Sequence, residues 1–210
     1  MTRVFIGYDP RQPLAYQVLA HSIWKRASEP ASITRLQLNQ LPIRRKGLTE
    51  FTYSRYLVPY LCGYEGTAIF MDADMLCLAD IATLPAPSGS VSVVKNERRF
   101  EWPSLMVFDC AKCKRLTPDY IEYSTPQSFD WATDGVGELP SEWNHLVGYD
   151  APRADAKVVH FTMGIPFWPE TRNSEYTDQW HKDAQESMST VSWEALMGGS
   201  VHRDRVKNAA

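Results

Sequence analysis

The sequence has little of what marks a membrane-bound, secreted or nucleic-acid-binding chain. No apolar run approaches the ~20 residues that a bilayer-crossing helix needs. The opening MTRVFIGYDP has no basic stretch followed by a long apolar one, so no leader peptide is expected. A formal net charge of -3 leaves no electrostatic case for nucleic acid or an anionic membrane surface. Four cysteines in 210 residues are too few for a disulfide framework. Cys110 and Cys113 form a C-x-x-C, but no second pair and no histidines at ligand spacing accompany it, so two free thiols are expected rather than zinc. Internal repeats and low-complexity blocks are missing as well. What remains is an ordinary globular composition, 44% hydrophobic and 22% charged. The expectation is one domain spanning residues 1–210, cytoplasmic and reduced, with a poorly ordered polar tail over about 200–210.

Apolar periodicity organises the chain. Residues 3–9 read as a buried strand ending in a polar turn. Pro13 can open a helix, and Leu14, Val18, Leu19, Ile23 and Trp24 recur at helical spacing up to Arg26. Residues 33–38 form a second strand, so the chain opens β-α-β and predicts a parallel sheet in an α/β fold. A basic linker at 44–47 follows, then helical spacing over 49–60 and a strand over 67–71. A short helical turn is expected at 80–84, strands at 91–94 and 105–108, and a helix at 117–123. Residues 124–150 read as loop, 157–161 as a last strand, and the stretch from Ser174 shows only scattered apolar residues.

The segment IFMDADMLCL runs from a buried strand into two carboxylates, Asp72 and Asp74. Residues i and i+2 of a strand share a face, so an extended strand would point both carboxylates one way. They would lie at the C-terminal strand edge, where open α/β sheets bind ligands. Like charges held together need a cation between them or a proton on one. Three explanations stand: a capped turn, a haloacid-dehalogenase-type phosphatase, or a metal site gripping a nucleotide diphosphate. Against the phosphatase, Leu76 occupies the place where Thr or Val is expected, a whole β-α-β unit comes first, and no later paired-acid motif ends a strand.

The stretches RVFIGYDPRQPLAYQVLAHSI, FTYSRYLVPYLCGYEGTAIFMDADML, LPSEWNHLVGYD and VVHFTMGIPFW resemble, in order, the blocks of family 8 glycosyltransferases, the relatives of glycogenin and lipopolysaccharide galactosyltransferases. They are most similar to small bacterial and phage-borne members, and cover the chain from Arg3 to about Trp180. The resemblance implies a GT-A fold with a mixed, mainly parallel sheet flanked by helices. It implies a metal-dependent transfer of a hexose from a UDP-sugar to a glycan, lipid-linked or protein hydroxyl, with retention. Asp72, Asp74 and His160 then correspond to the ligands of Mn²⁺ (or Mg²⁺), and an imidazole favours Mn²⁺. Gly7, Tyr8 and Asp9 map to the uridine pocket, where a glycine admits the base, a ring stacks on it and a carboxylate meets its edge. Arg55, Ala73 and Gly164 map to the nucleotide-sugar contacts. Asp130 and Asp134 fall where the family places acceptor-side residues and are the catalytic candidates for an oxocarbenium-like centre. One departure stands out. After Gly164 the chain has no lysine for the diphosphate, which leaves backbone N–H groups, Lys95, Arg98 or Arg99 to substitute and keeps open a catalytically weak nucleotide- or glycan-binding module.

Overall fold

The structure, a computed structural model, describes residues 1–188. The expected tail at 200–210 lies outside them. Strand β1 (Thr2–Gly7) leads into α1 (Pro13–Arg26) and returns through β2 (Ala31–Leu36). Pro13 opens α1 where its missing N–H costs nothing, and Lys25 and Arg26 sit in the last turn against the negative end of the helix. Ala15, Val18, Leu19, Ser22 and Ile23 form its buried face. A 3₁₀ turn (Ser54–Leu57) and the single-turn helix α2 (Val58–Leu61) replace the longer helix expected over 49–60. The reason is Pro59, whose ring would clash with the carbonyl four residues back in a continuous helix. Then come β3 (Thr67–Met71), β4 (Met75–Cys77), β5 (Val91–Val93), β6 (Leu105–Asp109), α3 (Pro118–Tyr123), β7 (Val136–Glu138), β8 (His145–Leu146), β9 (Val158–His160) and α4 (Thr177–Met188).

The main sheet has the order β2-β1-β3-β6-β5-β7, and only β6 runs against the others. Its central strands β1, β3 and β6 are apolar nearly throughout, as strands covered on both faces must be. A second sheet, β4-β9-β8, pairs Met75 with His160. The chain passes from one sheet to the other at Asp72–Ala73–Asp74. Of the two geometries left open by the sequence, the aspartates do not extend β3; they stand on the turn between sheets. Two short strands, β7 and β8, emerge from the stretch read as loop, and α4 from the one read as patternless. α4 packs on α1 through Trp180 and Ala184, only two buried apolar side chains, too thin a stripe to stand out as a helical period. No helix among the described residues is long and apolar enough to cross a membrane.

A candidate metal centre between the two sheets

Two backbone hydrogen bonds, a strand register and an arginine side chain hold the acidic turn. Asp72 N–H donates to Ser104 O at 2.9 Å, and Phe161 N–H donates to Asp74 O at 2.9 Å. The β4–β9 register sets His160 beside Met75, and so beside Asp74. Arg55 Nη1 donates to Pro103 O at 2.8 Å and ties the 3₁₀ segment Arg99–Ser104 to the same corner. The result is that one oxygen of Asp72, one of Asp74 and a ring nitrogen of His160 all lie within 4.8 Å of one another. Residues 86 positions apart in sequence thus form one cluster.

Its electrostatics are unbalanced. His160 Nε2 is 3.4 Å from Asp74 Oδ1, and His160 Nδ1 is 3.8 Å from Glu101 Oε2. Arg55 is the cation paired with Asp72. It lies 3.1 Å from Asp72 Oδ1, but off the line of a hydrogen bond, and donates weakly to Oδ2 at 3.4 Å. Burial pushes the Asp72 carboxyl up to about 7; Arg55 and His160 pull it down, Asp74 and Glu101 push it further up. Burial likewise raises Glu101. On its own, burial would lower His160, yet Asp74, Asp72 and Glu101 together hold it above its ordinary value. Asp72 Oδ1, Asp74 Oδ1 and His160 Nδ1 are buried without a hydrogen-bond partner. Buried polar atoms are normally satisfied. Two carboxylates with orphaned oxygens, gathered with an imidazole nitrogen within 4.8 Å of one another, fit a divalent cation, with oxygen ligands for Mg²⁺ or Mn²⁺ and a nitrogen that suits the latter.

The other expected site residues divide. Arg55 and Ala73 join the corner, both buried, and Gly164 follows His160 on a turn with φ of +115°, a conformation that suits glycine. Arg55 makes a buried pair with Asp72, not a surface one. Asp9, Gln12, Ala15, Thr49, Phe51, Ala73 and Asp74 line a narrow cleft of 40 Å³ running from the end of β1 to the acidic turn. Gly7 is not an open landing for a base, as expected; a Cβ there would stand 2.4 Å from the Phe51 ring, so the glycine admits Phe51. Tyr8 meets Tyr16 edge-on at 5.8 Å and carries Arg35 over its ring at 4.6 Å. Asp9 is held by Arg11, with Nε to Oδ1 at 2.9 Å and Nη2 to Oδ2 at 2.6 Å.

Asp130 and Asp134 do not join the cluster. Asp134 precedes β7, and its N–H donates to Ser90 just before β5. β5 and β7 run parallel to β3, so this is the N-terminal sheet edge, opposite the acidic turn. Asp130 is exposed, with its backbone carbonyl bonded by Arg115. Arg99 and Lys95 face the Trp102 ring, and Arg98 faces Tyr149 at 4.2 Å. Sequence reasoning missed Glu101, which carries no motif of its own and reaches His160 only through the fold.

The architecture is a GT-A fold, and solved glycosyltransferases share it. A bifunctional glycosyltransferase, WbbM, superposes with a TM-score of 0.63 at 16% identity over 94% of this chain and 51% of its own. The chain thus spans about half of that protein. The galactosyltransferase LgtC, in complex with donor and acceptor sugar analogs, matches with a TM-score of 0.60 at 10% identity over 94% of this chain and 99% of its own. GlyE of Streptococcus pneumoniae TIGR4 matches with a TM-score of 0.61 at 12% identity over 97% and 65%. At these identities the likeness is one of fold. No protein-family model matches the chain. The chain belongs to the family of Protein CDI from Arabidopsis thaliana, to which it is 34% identical over 227 aligned positions covering 88% of this chain and 86% of that protein. That relative is a plant protein.

Proposed function

We propose that the protein is a metal-dependent glycosyltransferase of the family 8 type, moving a hexose from a UDP-sugar to a hydroxyl on a glycan, a lipid-linked sugar or a protein, with retention. The observation that carries this reading is the cluster of Asp72, Asp74 and His160 with its orphaned atoms, at the C-terminal edge of β3 on a GT-A fold. These three side chains would hold Mn²⁺, or Mg²⁺, as ligands. When bound, the cation would supply Lewis-acid stabilisation of charge on the departing diphosphate.

The chain's own groups do the rest. Arg55, 3.1 Å from Asp72, favours its ionised form against the effect of burial, and its fixed fork suits sugar or phosphate oxygens. The nucleoside would enter the cleft beside Asp9, Phe51 and Ala73. At 40 Å³ that cleft must widen, and the movable element is the Phe51 ring lying on Gly7. Tyr8 and Asp9 would meet the base from the β1 end, and Gly164 would present backbone to the diphosphate. Asp130 and Asp134 have no part in this proposal, because neither reaches the cluster. Four free thiols, three of them buried, suit a reducing, cytoplasmic setting.

A second reading, a nucleotide- or glycan-binding module with little turnover, has one specific observation behind it. The segment after Gly164 is Ile-Pro-Phe-Trp and offers no cation, and Lys95 and Arg99 both lie over Trp102. Two measurements separate these. Thermal melts should show UDP stabilising the protein only with Mn²⁺ present, by about 2.7 kcal/mol at ~100 Kd. Equal stabilisation in excess chelator would sink the metal-bridged reading. Release of UDP from a panel of UDP-sugars should follow; binding with no release from any donor, with or without acceptor, favours the module.

A further inference from the structure

We propose that Glu101 is a positioning residue for the metal centre. It accepts the Nδ1–H of His160 and so presents the Nε2 lone pair to the cation. The inference rests on the reading of His160 as a metal ligand.

A neutral imidazole has one donor nitrogen and one acceptor nitrogen, and the hydrogen bond made by one decides the role of the other. In this structure the two nitrogens face different ways. Nε2 looks toward Asp74 Oδ1 at 3.4 Å, inside the cluster; Nδ1 looks out of it, toward Glu101 Oε2 at 3.8 Å. If Nε2 gives its lone pair to a cation, the ring proton must sit on Nδ1. There it is buried and has no hydrogen-bond partner, a costly state. Glu101 offers a carboxylate within a small side-chain adjustment of hydrogen-bond distance. Metal-ligating histidines commonly pass their second N–H to such a carboxylate, which fixes the ring and raises its basicity.

The backbone around Glu101 is anchored to the same corner. Ser104 Oγ donates to Glu101 O at 2.6 Å, and Glu101 N–H donates to Arg98 O at 2.8 Å. Ser104 O in turn receives the N–H of Asp72, and Pro103 O receives Arg55. The segment carrying Glu101 is thus fastened directly to Asp72 and to its partner Arg55. It is a built contact and not an incidental approach of a surface acid; the Glu101 side chain is 14% exposed.

The test is Mn²⁺ binding by the nucleotide-free full chain, followed by electron paramagnetic resonance of the free ion. Glu101→Ala should weaken Mn²⁺ by about 10–100-fold with the metal-free melting temperature unchanged. Glu101→Gln keeps a carbonyl acceptor for Nδ1–H and should recover most of the affinity. With Zn²⁺ as a diamagnetic probe, ¹⁵N spectra of the imidazoles, assigned with His160→Ala, should show a protonated Nδ1 in the wild type and a loss of that fixed tautomer in Glu101→Ala. Equal Mn²⁺ affinity in wild type and Glu101→Ala overturns the role of Glu101 while leaving the metal centre standing. Glu101→Gln binding as weakly as Glu101→Ala overturns the tautomer clamp in favour of charge alone. A wild type that binds no Mn²⁺ overturns the metal centre, and this inference with it.

Discussion

Asp183 and Asp72 are both buried carboxylates, and the chain treats them in opposite ways. Asp183, fully buried on α4, accepts from Lys25 Nζ at 3.1 Å, Arg26 Nη1 at 2.7 Å and Gln179 Nε2 at 3.1 Å. Two cations from the last turn of α1 surround it, and the pairing staples α4 onto α1. Asp72 has one arginine, off-angle at one oxygen and long at the other, with Asp74 and Glu101 adding repulsion. One site closes its charge within the chain; the other leaves buried carboxylate oxygens without a hydrogen-bond partner. Burial alone therefore does not separate architecture from function, since both acids have it. The satisfaction of the buried atoms does.

The comparison breaks first, and most severely, at Asp74. Asp74→Asn keeps the shape and removes the charge. Transfer, followed as UDP release, should fall by at least ~100-fold, the scale of several kcal/mol of charge stabilisation. Metal-free stability should hold or rise, because a like charge next to Asp72 disappears. Near-normal turnover would return Asp74 to the status of a capping residue. Asp183→Ala should do the reverse. It should cost roughly 2–3 kcal/mol in urea melts, below the ~3–5 of a fully buried pair because Lys25 and Arg26 retain some access to water. The Mn²⁺-dependent response to UDP should survive it. A loss of that response would mean that α4 also supports the site.

How much of this could be read in the sequence follows from the range of each interaction. The strand ending at Met71, the opening β-α-β unit and the aspartate pair were legible because period and spacing are local. His160 became legible as a ligand only through resemblance, since its partner is 86 residues away and a histidine among Val158, Val159 and Phe161 reads equally as core. Glu101 was not legible, because its meaning comes from a 3₁₀ segment anchored through Ser104 and Pro103. The sequence leaves Asp72–Asp74 open between a strand extension and a capped turn for a related reason: the local pattern does not say that the next apolar run, Met75–Cys77, belongs to another sheet. α4 was lost because an ion-paired helix needs little apolar surface.

Gly7 sharpens the comparison, since it lies where core and cleft meet. Gly7→Ala places a Cβ 2.4 Å from Phe51 Cγ and 2.8 Å from Phe51 Cβ. Overpacking of this kind costs ~1–3 kcal/mol. Phe51→Ala in the same chain should return part of that loss, with a coupling of ~0.5–3 kcal/mol in a double-mutant cycle. Additive losses would show that the strain at Gly7 lies in the backbone and that Phe51 is not what the glycine accommodates.

The smallest effect concerns Asp9, which falls between the two extremes: a buried carboxylate satisfied by one exposed arginine. Bidentate bonding by Arg11 lowers the Asp9 carboxyl below 3.8, the ordinary value, against the opposing effect of burial. A group whose folded-state value is depressed stabilises the fold above its unfolded value. That contribution is full above pH 3.8 and is lost as pH falls through the lower folded-state value. Arg11→Ala should therefore lower the melting temperature slightly at neutral pH, by an amount that shrinks below pH 3.8 as Asp9 is protonated in both proteins. Raised salt should shrink the difference at neutral pH too, since Arg11 is 67% exposed and its charge is screened. A difference between the two proteins that stays constant across this acid limb would mean that Arg11 stabilises through its bond to the Leu48 carbonyl, and that Asp9, like Asp72, is left with its charge largely unmet by the chain.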